Sequence, residues 1–398
     1  MRGLALEGGG SRGAYHIGVY QACLEQGLTF DAICGTSIGA VNAALLAQGD
    51  YDLLQHLWKT LGNSDLFEVD NAHYAKLFRG GIEAADLSYY KEALNRVRES
   101  GGVDTRKMKA MIDSLVDVDR LLASPGDFGL VAGCLSDWKP VEFFKDQIPP
   151  EQMTAYIMAS ATFPGFQPTK IGEKSYIDGG LYDNCPMNML AGRGCTEIIA
   201  VRTYAPGLFR LPRQKGVKVT LICPTESMGP IMNFDPQESV RNIQMGYYDA
   251  LRTLRRLAGT LYCIDRPQGD SAFPLFAGLR ADQVRPALKL AGIPAANLPP
   301  RRALFEKLLP FVAQELDAPR NADYTGILIA MLEDRAARAG IDRFALYPLA
   351  EWFQRTVRAQ APQHPKARSL LPSAQARASL ASDHLLQCLL ENGAYPQP

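Results

Sequence analysis

Three short motifs in this chain contain the residue types that could support nucleophilic chemistry, and the first surrounds a serine. Ser37 lies in the run GTSIG (35–39), which follows an apolar run and leads directly into a helical pattern. A sharp strand-to-helix turn thrusts a serine hydroxyl outward, and a Cβ at Gly35 or Gly39 would crowd that turn. The pattern indicates a nucleophile elbow. The alternative is an ordinary turn in which Ser37 caps the helix.

The second motif is the glycine-rich loop in LALEGGGSRG, directly behind the first apolar run. Gly8, Gly10 and Gly13 have the spacing of a loop that binds a dinucleotide pyrophosphate. A dinucleotide site also needs an acidic residue after the second strand, whereas Asp31 precedes it. Turns after neighbouring parallel strands meet at one sheet edge, where the loop N–H groups can stabilise an oxyanion beside Ser37. The sequence therefore favours an oxyanion hole and no dinucleotide.

The third motif offers a base, because Asp178 ends an apparent strand in KSYIDGGLYDNCP. Burial at a strand end would raise the pKa of this carboxyl group and make it a proton acceptor for a serine hydroxyl. An Asx turn with a structural glycine pair is the alternative. A histidine base is less favoured, since Ser37 follows only one strand, too early for the order of an α/β-hydrolase. Packing or surface roles are expected for the five histidines: His16, His56, His73, His364 and His384.

The elements that must position these motifs predict an α/β fold. From Gly3 to about Val201, β-type runs alternate with helical runs, which indicates a mostly parallel central sheet with helices on both faces. We expect a catalytic domain over 1–265 with a helical insertion at about 50–124, and a mainly helical module over 266–398. Asp235 before Pro236 predicts a helix start.

Four motifs in order resemble those of the patatin-like phospholipases, in particular the bacterial type. They are the loop at 8–13, the elbow at 35–40, ASATFPGFQP and the Asp178-Gly179-Gly180 turn. The resemblance spans about residues 1–202 and, more weakly, the helix FDPQESVRNIQMGYYDA. It implies a three-layer α/β/α fold and a calcium-independent lipid acyl hydrolase of phospholipase A or lysophospholipase type. Its substrate would be a phospholipid or another acyl-ester lipid, with no metal or other cofactor.

The resemblance also implies roles for individual residues. It makes Ser37 the nucleophile and Asp178 the base of a dyad. The implied oxyanion loop comprises Gly8, Gly9, Gly10 and Arg12. It also places the apolar run AYIMASATFPGF beside the site, where core packing is the alternative to an acyl-chain pocket. The pocket candidates are Met158, Phe163 and Phe166.

Composition narrows the remaining function classes. Lys+Arg 42 and Asp+Glu 42 give a formal net charge of zero, so no global field attracts nucleic acid or an anionic membrane. Eight scattered cysteines and the lack of a signal-peptide or spanning pattern indicate a cytoplasmic protein, with peripheral membrane contact left open. The alternatives to hydrolysis are acyl transfer by the same dyad, a nucleotide-dependent oxidoreductase and a catalytically silent membrane or protein scaffold.

Overall fold

The computed structural model describes residues 1–68, 101–266, 269–294, 297–360 and 372–393, with a few single positions besides. Contacts divide the chain into two compact units, Met1–Ala250 and Leu251–Pro398. The sequence placed this boundary at 265–266. The structure places residues 263–265 in the second unit instead, because the strand Cys263–Asp265 forms a parallel pair with Leu346–Pro348 there. The middle of the predicted insertion lies outside the described residues.

The first unit contains a mixed sheet whose strands are hydrogen-bonded in the order β5-β6-β3-β2-β1-β7-β8, with β4 also paired to β3. The strands β1, β2, β3, β7 and β8 run parallel, while β4, β5 and β6 are joined by antiparallel pairings. Their bounds are β1 Arg2–Leu6, β2 Ala32–Thr36, β3 Asp127–Cys134, β4 Lys139–Phe144, β5 Thr169–Ile171, β6 Lys174–Asp178, β7 Glu197–Val201 and β8 Lys218–Ile222.

Helices cover both sides of this sheet, which confirms the predicted α/β fold. Side chains alternate along each strand, so Ala5 and Cys34 join Met187 and Leu190 in a core on one side. The helices are α1 Ala14–Glu25, α2 Ile38–Ala47, α3 Tyr51–Thr60, α4 Asn63–Leu66, α5 Arg106–Leu115, α6 Val118–Ala123, α7 Met153–Ser160, α8 Met187–Gly192 and α9 Pro236–Arg255. Helix α9 crosses the boundary between the units.

The second unit is mainly helical around its own core of buried side chains. Its two short strands are β9 Cys263–Asp265 and β10 Leu346–Pro348. Its helices are α10 Phe273–Ala277, α11 Ala281–Ala291, α12 Pro300–Ala303, α13 Leu309–Glu315, α14 Tyr324–Arg338, α15 Leu349–Arg358 and α16 Ala374–Glu391, with a π-helical turn over Leu304–Leu308. Within the described residues, no helix combines the length and apolar character that crossing a bilayer requires.

Candidate active site

Ser37 occupies the turn between β2 and α2 in a conformation that few non-glycine residues adopt. Its φ is 57° and its ψ is −131°, a strained backbone of the kind that persists where the surroundings impose it. A Cβ on Gly35 would lie 2.0 Å from the Gly39 carbonyl oxygen, and one on Gly39 would lie 2.3 Å from the Leu6 carbonyl oxygen. The two glycines are therefore sterically required. The Ser37 side chain makes no capping hydrogen bond to α2, so its hydroxyl is available for another partner.

Strand register brings Asp178 to Ser37. On β3, residues 127–131 pair with β2 and residues 132–134 pair with β6, while β4 pairs with 129–134. A strand has only two hydrogen-bonding edges, so β2 and β6 must share one edge of β3. They approach each other in opposite directions, with Thr36 opposite Val131 and Asp178 opposite Ala132. The carboxyl ends of β2 and β6 therefore meet, and the residue after Thr36 is Ser37.

Asp178 is a buried carboxylate with few partners. Its side chain accepts a hydrogen bond of 2.7 Å from the Gly180 N–H, which is the predicted Asx-type turn. Burial raises the pKa of Asp178 to about 6, while the Ser37 hydroxyl and the Gly180 N–H act in the lowering direction. A Cβ on Gly179 would lie 2.4 Å from the Val131 carbonyl oxygen, so the chain can leave the strand here only through glycine. The turn geometry and the interaction with Ser37 coexist.

The glycine loop lies at the same sheet edge, since Leu6 pairs with Gly35 in the parallel β1–β2 register. Within the loop, the Gly8 N–H donates to the Asn184 carbonyl and the Arg12 N–H donates to the Gly9 carbonyl. Among the described residues, the N–H groups of Gly9 and Gly10 have no acceptor, and both glycines line the cavity beside Ser37. The available donors are therefore Gly9 and Gly10, and the N–H groups of Gly8 and Arg12 hold the loop together.

Arg12 acts through its side chain as an anchor of this loop. Its guanidinium donates to the carbonyl oxygens of Gly229 at 2.9 Å, Thr203 at 3.1 Å and Tyr204 at 3.1 Å. Burial lowers the pKa of Arg12, opposed by the nearby Glu7 carboxylate. These bonds fix the loop to two neighbouring segments.

Glu7 is a buried carboxylate beside the glycine loop that the motifs did not single out. It follows β1 directly, is almost fully buried and accepts hydrogen bonds from the Thr203 and Tyr204 N–H groups at 2.5 and 3.0 Å. Arg202 completes the cluster with an ion pair of 3.0 Å. A charged residue at the end of the apolar run LAL was the available signal, because a carboxylate there must be paired if it is buried.

Ser37 and Asp178 line an apolar cavity of about 190 Å³. Phe163 and Phe166, both predicted for an acyl pocket, line it together with Phe67, Met108 and Phe234. The rings of Phe67 and Phe166 meet at 5.6 Å, and those of Phe67 and Phe234 at 6.1 Å. Met158 does not line the cavity. It lies on α7 among core side chains and is 1% exposed. Met158 is therefore a core packing residue and not part of the pocket.

The described histidines take packing or surface positions. His16 is fully buried, its Nδ1 lies 3.1 Å from the Asn42 amide, and burial lowers its pKa to about 3. His56 is exposed on α3, and His384 lies in the second unit with its Nε2 2.9 Å from the Gln283 carbonyl. His73 and His364 lie outside the described residues.

A hydroxyl, a buried carboxylate, two N–H donors and an apolar cavity are the parts used by ester hydrolases with a serine nucleophile. Residues 4–191 match the sequence model described as "Patatin-like phospholipase". Over these residues the match confirms the resemblance to the patatin-like phospholipases predicted from the motifs.

Sequence identity to individual relatives is low. An uncharacterised NTE family protein of Mycobacterium bovis is 31% identical over 199 residues, which cover 50% of this chain and 48% of the relative. Lysophospholipase NTE1 of Saccharomyces cerevisiae is 29% identical over 223 residues, which cover 50% of this chain and 10% of that protein. Among solved structures, VipD from Legionella pneumophila gives a TM-score of 0.39 at 16% identity, covering 89% of this chain and 84% of that one. The chain thus spans about half or less of the length of these two sequence relatives.

Proposed function

We propose that this protein is a lipid acyl hydrolase of phospholipase A or lysophospholipase type that works with a Ser37–Asp178 dyad and without calcium. The observation that carries the proposal is the meeting of β2 and β6, which brings a strained serine and a buried carboxylate together at an apolar cavity. The domain family and the lysophospholipase relative support a lipid ester as the substrate.

In the first half of the proposed reaction, the ester carbonyl carbon lies next to the Ser37 oxygen, with the acyl chain along the aromatic wall of the cavity. The oxygen attacks this carbon while Asp178 takes the hydroxyl proton. The negative charge that develops on the carbonyl oxygen is held by the Gly9 and Gly10 N–H groups. The intermediate then expels the alcohol, which leaves with the proton from Asp178, and an acyl-serine remains.

In the second half, water attacks the acyl-serine and gives up a proton to Asp178. A second tetrahedral intermediate, again held by the two N–H groups, expels the Ser37 oxygen. The oxygen takes the proton back from Asp178, so the free carboxylic acid leaves and the enzyme returns to its starting state. Asp178 must be ionised at the start of each half, and its raised pKa makes it a stronger acceptor than an exposed aspartate.

The cellular location proposed for this enzyme is the cytoplasm. All eight cysteines are free thiols, and all but Cys223 are buried. Free thiols are the usual state in a reducing compartment.

The test measures fatty acid release from mixed phosphatidylcholine and lysophosphatidylcholine vesicles in the presence of EDTA. Wild type is compared with Ser37→Ala, Asp178→Asn and the matched control Asp183→Asn. Asp183 is a second buried carboxyl group, with its pKa raised by burial to about 7, and it does not line the cavity. We expect release by wild type and Asp183→Asn and its loss in the two dyad variants. Equal release by all four proteins, or dependence on added calcium, would overturn the proposal.

A further inference from the structure

Four large apolar side chains are exposed in one region of the first unit. Leu181 is 62% exposed, Tyr204 56%, Leu208 50% and Leu211 60%. Single exposed apolar side chains are normal on a protein surface, but a contiguous group of them marks an interaction site. We call Leu181 together with residues 204–211 the cavity rim.

The cavity rim is continuous with the mouth of the cavity that holds Ser37. Leu181 and residues 205–207 line that cavity. The Leu208 N–H donates to the Gly180 carbonyl at 2.9 Å, and the Leu208 carbonyl accepts from the Asn184 N–H at 2.7 Å. The Leu211 carbonyl accepts from the side chain of Asn188, at the start of α8. Whatever binds the rim therefore also lies against the entrance to the site.

The rim is held rigidly, although its apolar side chains face outward. Tyr204 has a φ of 50°, and Glu7 and Arg12 bind its N–H and its carbonyl. The Arg202 guanidinium stacks on Phe209 at 3.6 Å and on Tyr204 at 5.0 Å. A preorganised apolar surface loses little conformational entropy on binding.

The charge of the same segment indicates what the rim binds. Residues 202–215 contain four basic and no acidic side chains. Arg202 pairs with Glu7, and Arg210 lies over the Tyr182 ring at 4.5 Å. Arg213 and Lys215 are exposed and form no ion pair with any residue that the structure describes. Glu142 and Asp183 are acidic groups near these arginines, and Arg210 and Arg213 lower the pKa of both against the effect of burial.

We propose that the cavity rim docks on the surface of a phospholipid bilayer that contains anionic lipid, so that the cavity opens toward the lipid. Exposed leucines and a tyrosine enter the boundary between headgroups and acyl chains, while Arg213 and Lys215 remain among the anionic headgroups. This inference rests on the proposed function, since a lipid substrate must leave a bilayer to reach Ser37.

The experiment measures cosedimentation of the whole protein with vesicles of phosphatidylcholine, with and without phosphatidylglycerol. The variants are Leu208→Asp and Leu211→Asp, and the matched control is Leu24→Asp. Leu24 is 43% exposed near the end of α1, the helix that leads away from the site toward the start of β2. A soluble ester, p-nitrophenyl butyrate, reports the state of the site without a membrane.

We expect each rim variant to lower vesicle binding and vesicle hydrolysis about tenfold, since a charge replaces a leucine that enters the bilayer. Hydrolysis of the soluble ester stays at the wild-type level, and Leu24→Asp behaves as wild type. Phosphatidylglycerol strengthens binding, and Arg213→Gln with Lys215→Gln reduces this gain.

Three results would overturn the proposal that the cavity rim docks on a bilayer. The first is unchanged vesicle binding by the rim variants. The second is an equal fall in soluble-ester and vesicle hydrolysis, which would assign these leucines to the fold of the site. The third is a wild-type dimer that the rim variants abolish, which would make a second copy the occupant. Vesicle binding by a wild type that hydrolyses neither substrate would contradict the proposed function and leave the surface standing.

Discussion

The two units of this chain each contain a buried carboxylate beside a cavity, and the two carboxylates differ in their partners. Asp178 is 6% exposed and Glu333 is 7% exposed, so the burial is nearly equal. Glu333 accepts hydrogen bonds from the N–H groups of Thr260, Leu261 and Tyr262 and from the Thr260 hydroxyl, at 2.8–3.0 Å. Asp178 accepts one backbone N–H and faces the Ser37 hydroxyl.

The difference shows why burial alone does not identify a reactive group. Four donors satisfy the charge of Glu333, so this carboxylate holds the loop at 260–262 in place. Asp178 has fewer hydrogen-bond donors to stabilise its charge, so burial raises its pKa. The second-unit cavity beside Glu333 measures about 330 Å³, larger than the 190 Å³ beside Ser37. Cavity size does not mark the proposed reactive site either.

The largest effect is expected when an amide replaces Asp178, with the same replacement of Glu333 as the control. Asp178→Asn keeps an acceptor for the Gly180 N–H but removes the proposed base, so kcat/KM for a lipid ester should fall about 10²- to 10⁴-fold at pH 8. Glu333→Gln should leave kcat/KM within twofold of wild type for the folded fraction. Steady-state kinetics of both variants checks the pair. Similar losses in both would break the comparison.

The next largest effect concerns the Gly9 and Gly10 N–H groups, the proposed oxyanion donors. Gly10 has a φ of 55°, and a Cβ there would lie 1.9 Å from the Ile231 carbonyl oxygen, so Gly10→Ala must displace the loop. Loss of one oxyanion donor predicts about a 10²- to 10³-fold fall in kcat. Gly27→Ala is the control, because Gly27 has a φ of 70° and open space around its Cβ position. A wild-type kcat for Gly10→Ala would remove the loop from the mechanism.

A smaller effect is expected on stability from the second carboxylate. Glu333→Ala leaves four donors without their acceptor, which should lower the free energy of unfolding by about 1 to 3 kcal/mol. Urea denaturation monitored by circular dichroism measures this change. Hydrolysis per folded molecule should be unaffected, and a stability equal to wild type would contradict the structural role of Glu333.

A graded effect is expected on pH dependence. The proposed mechanism requires an ionised Asp178, so kcat/KM should fall about tenfold per pH unit below about pH 6. The raised pKa means that the folded state favours the protonated carboxyl. The stability that this group contributes is therefore complete below its unfolded pKa of about 3.9 and is lost as pH rises through about 6.

Asp178→Asn should consequently melt at a higher temperature than wild type at pH 8, with little difference at pH 4. Thermal melts at the two pH values check the sign. A lower melting temperature for the variant at pH 8 would show that the carboxylate is stabilised rather than strained by its surroundings.

Local signals predicted much of the first unit. The alternation of strands and helices predicted the α/β fold, and the GTSIG run predicted the turn between β2 and α2. Asp235 accepts hydrogen bonds from the Gln237 and Glu238 N–H groups at the predicted helix start. These features depend on a few neighbouring residues, so the sequence displays them directly.

The pairings between distant segments could not be predicted from the sequence. Nothing local to KSYID shows that β6 runs antiparallel to β3 and meets β2 end to end. The same limit explains Gly8, whose N–H is taken by Asn184 from far along the chain, and the Arg202 partner of Glu7. Met158 is apolar like Phe163, and only its position on α7 separates a core residue from one that lines the cavity.

The measurement that tests the central claim most directly is mass spectrometry of the protein after reaction with a fluorophosphonate, with peptide mapping of the adduct. The account predicts one adduct on Ser37 in wild type, formed far more slowly in Asp178→Asn and at the wild-type rate in Glu333→Gln. An adduct on another residue, or equal labelling rates in wild type and Asp178→Asn, would contradict the pairing of this serine with this carboxylate.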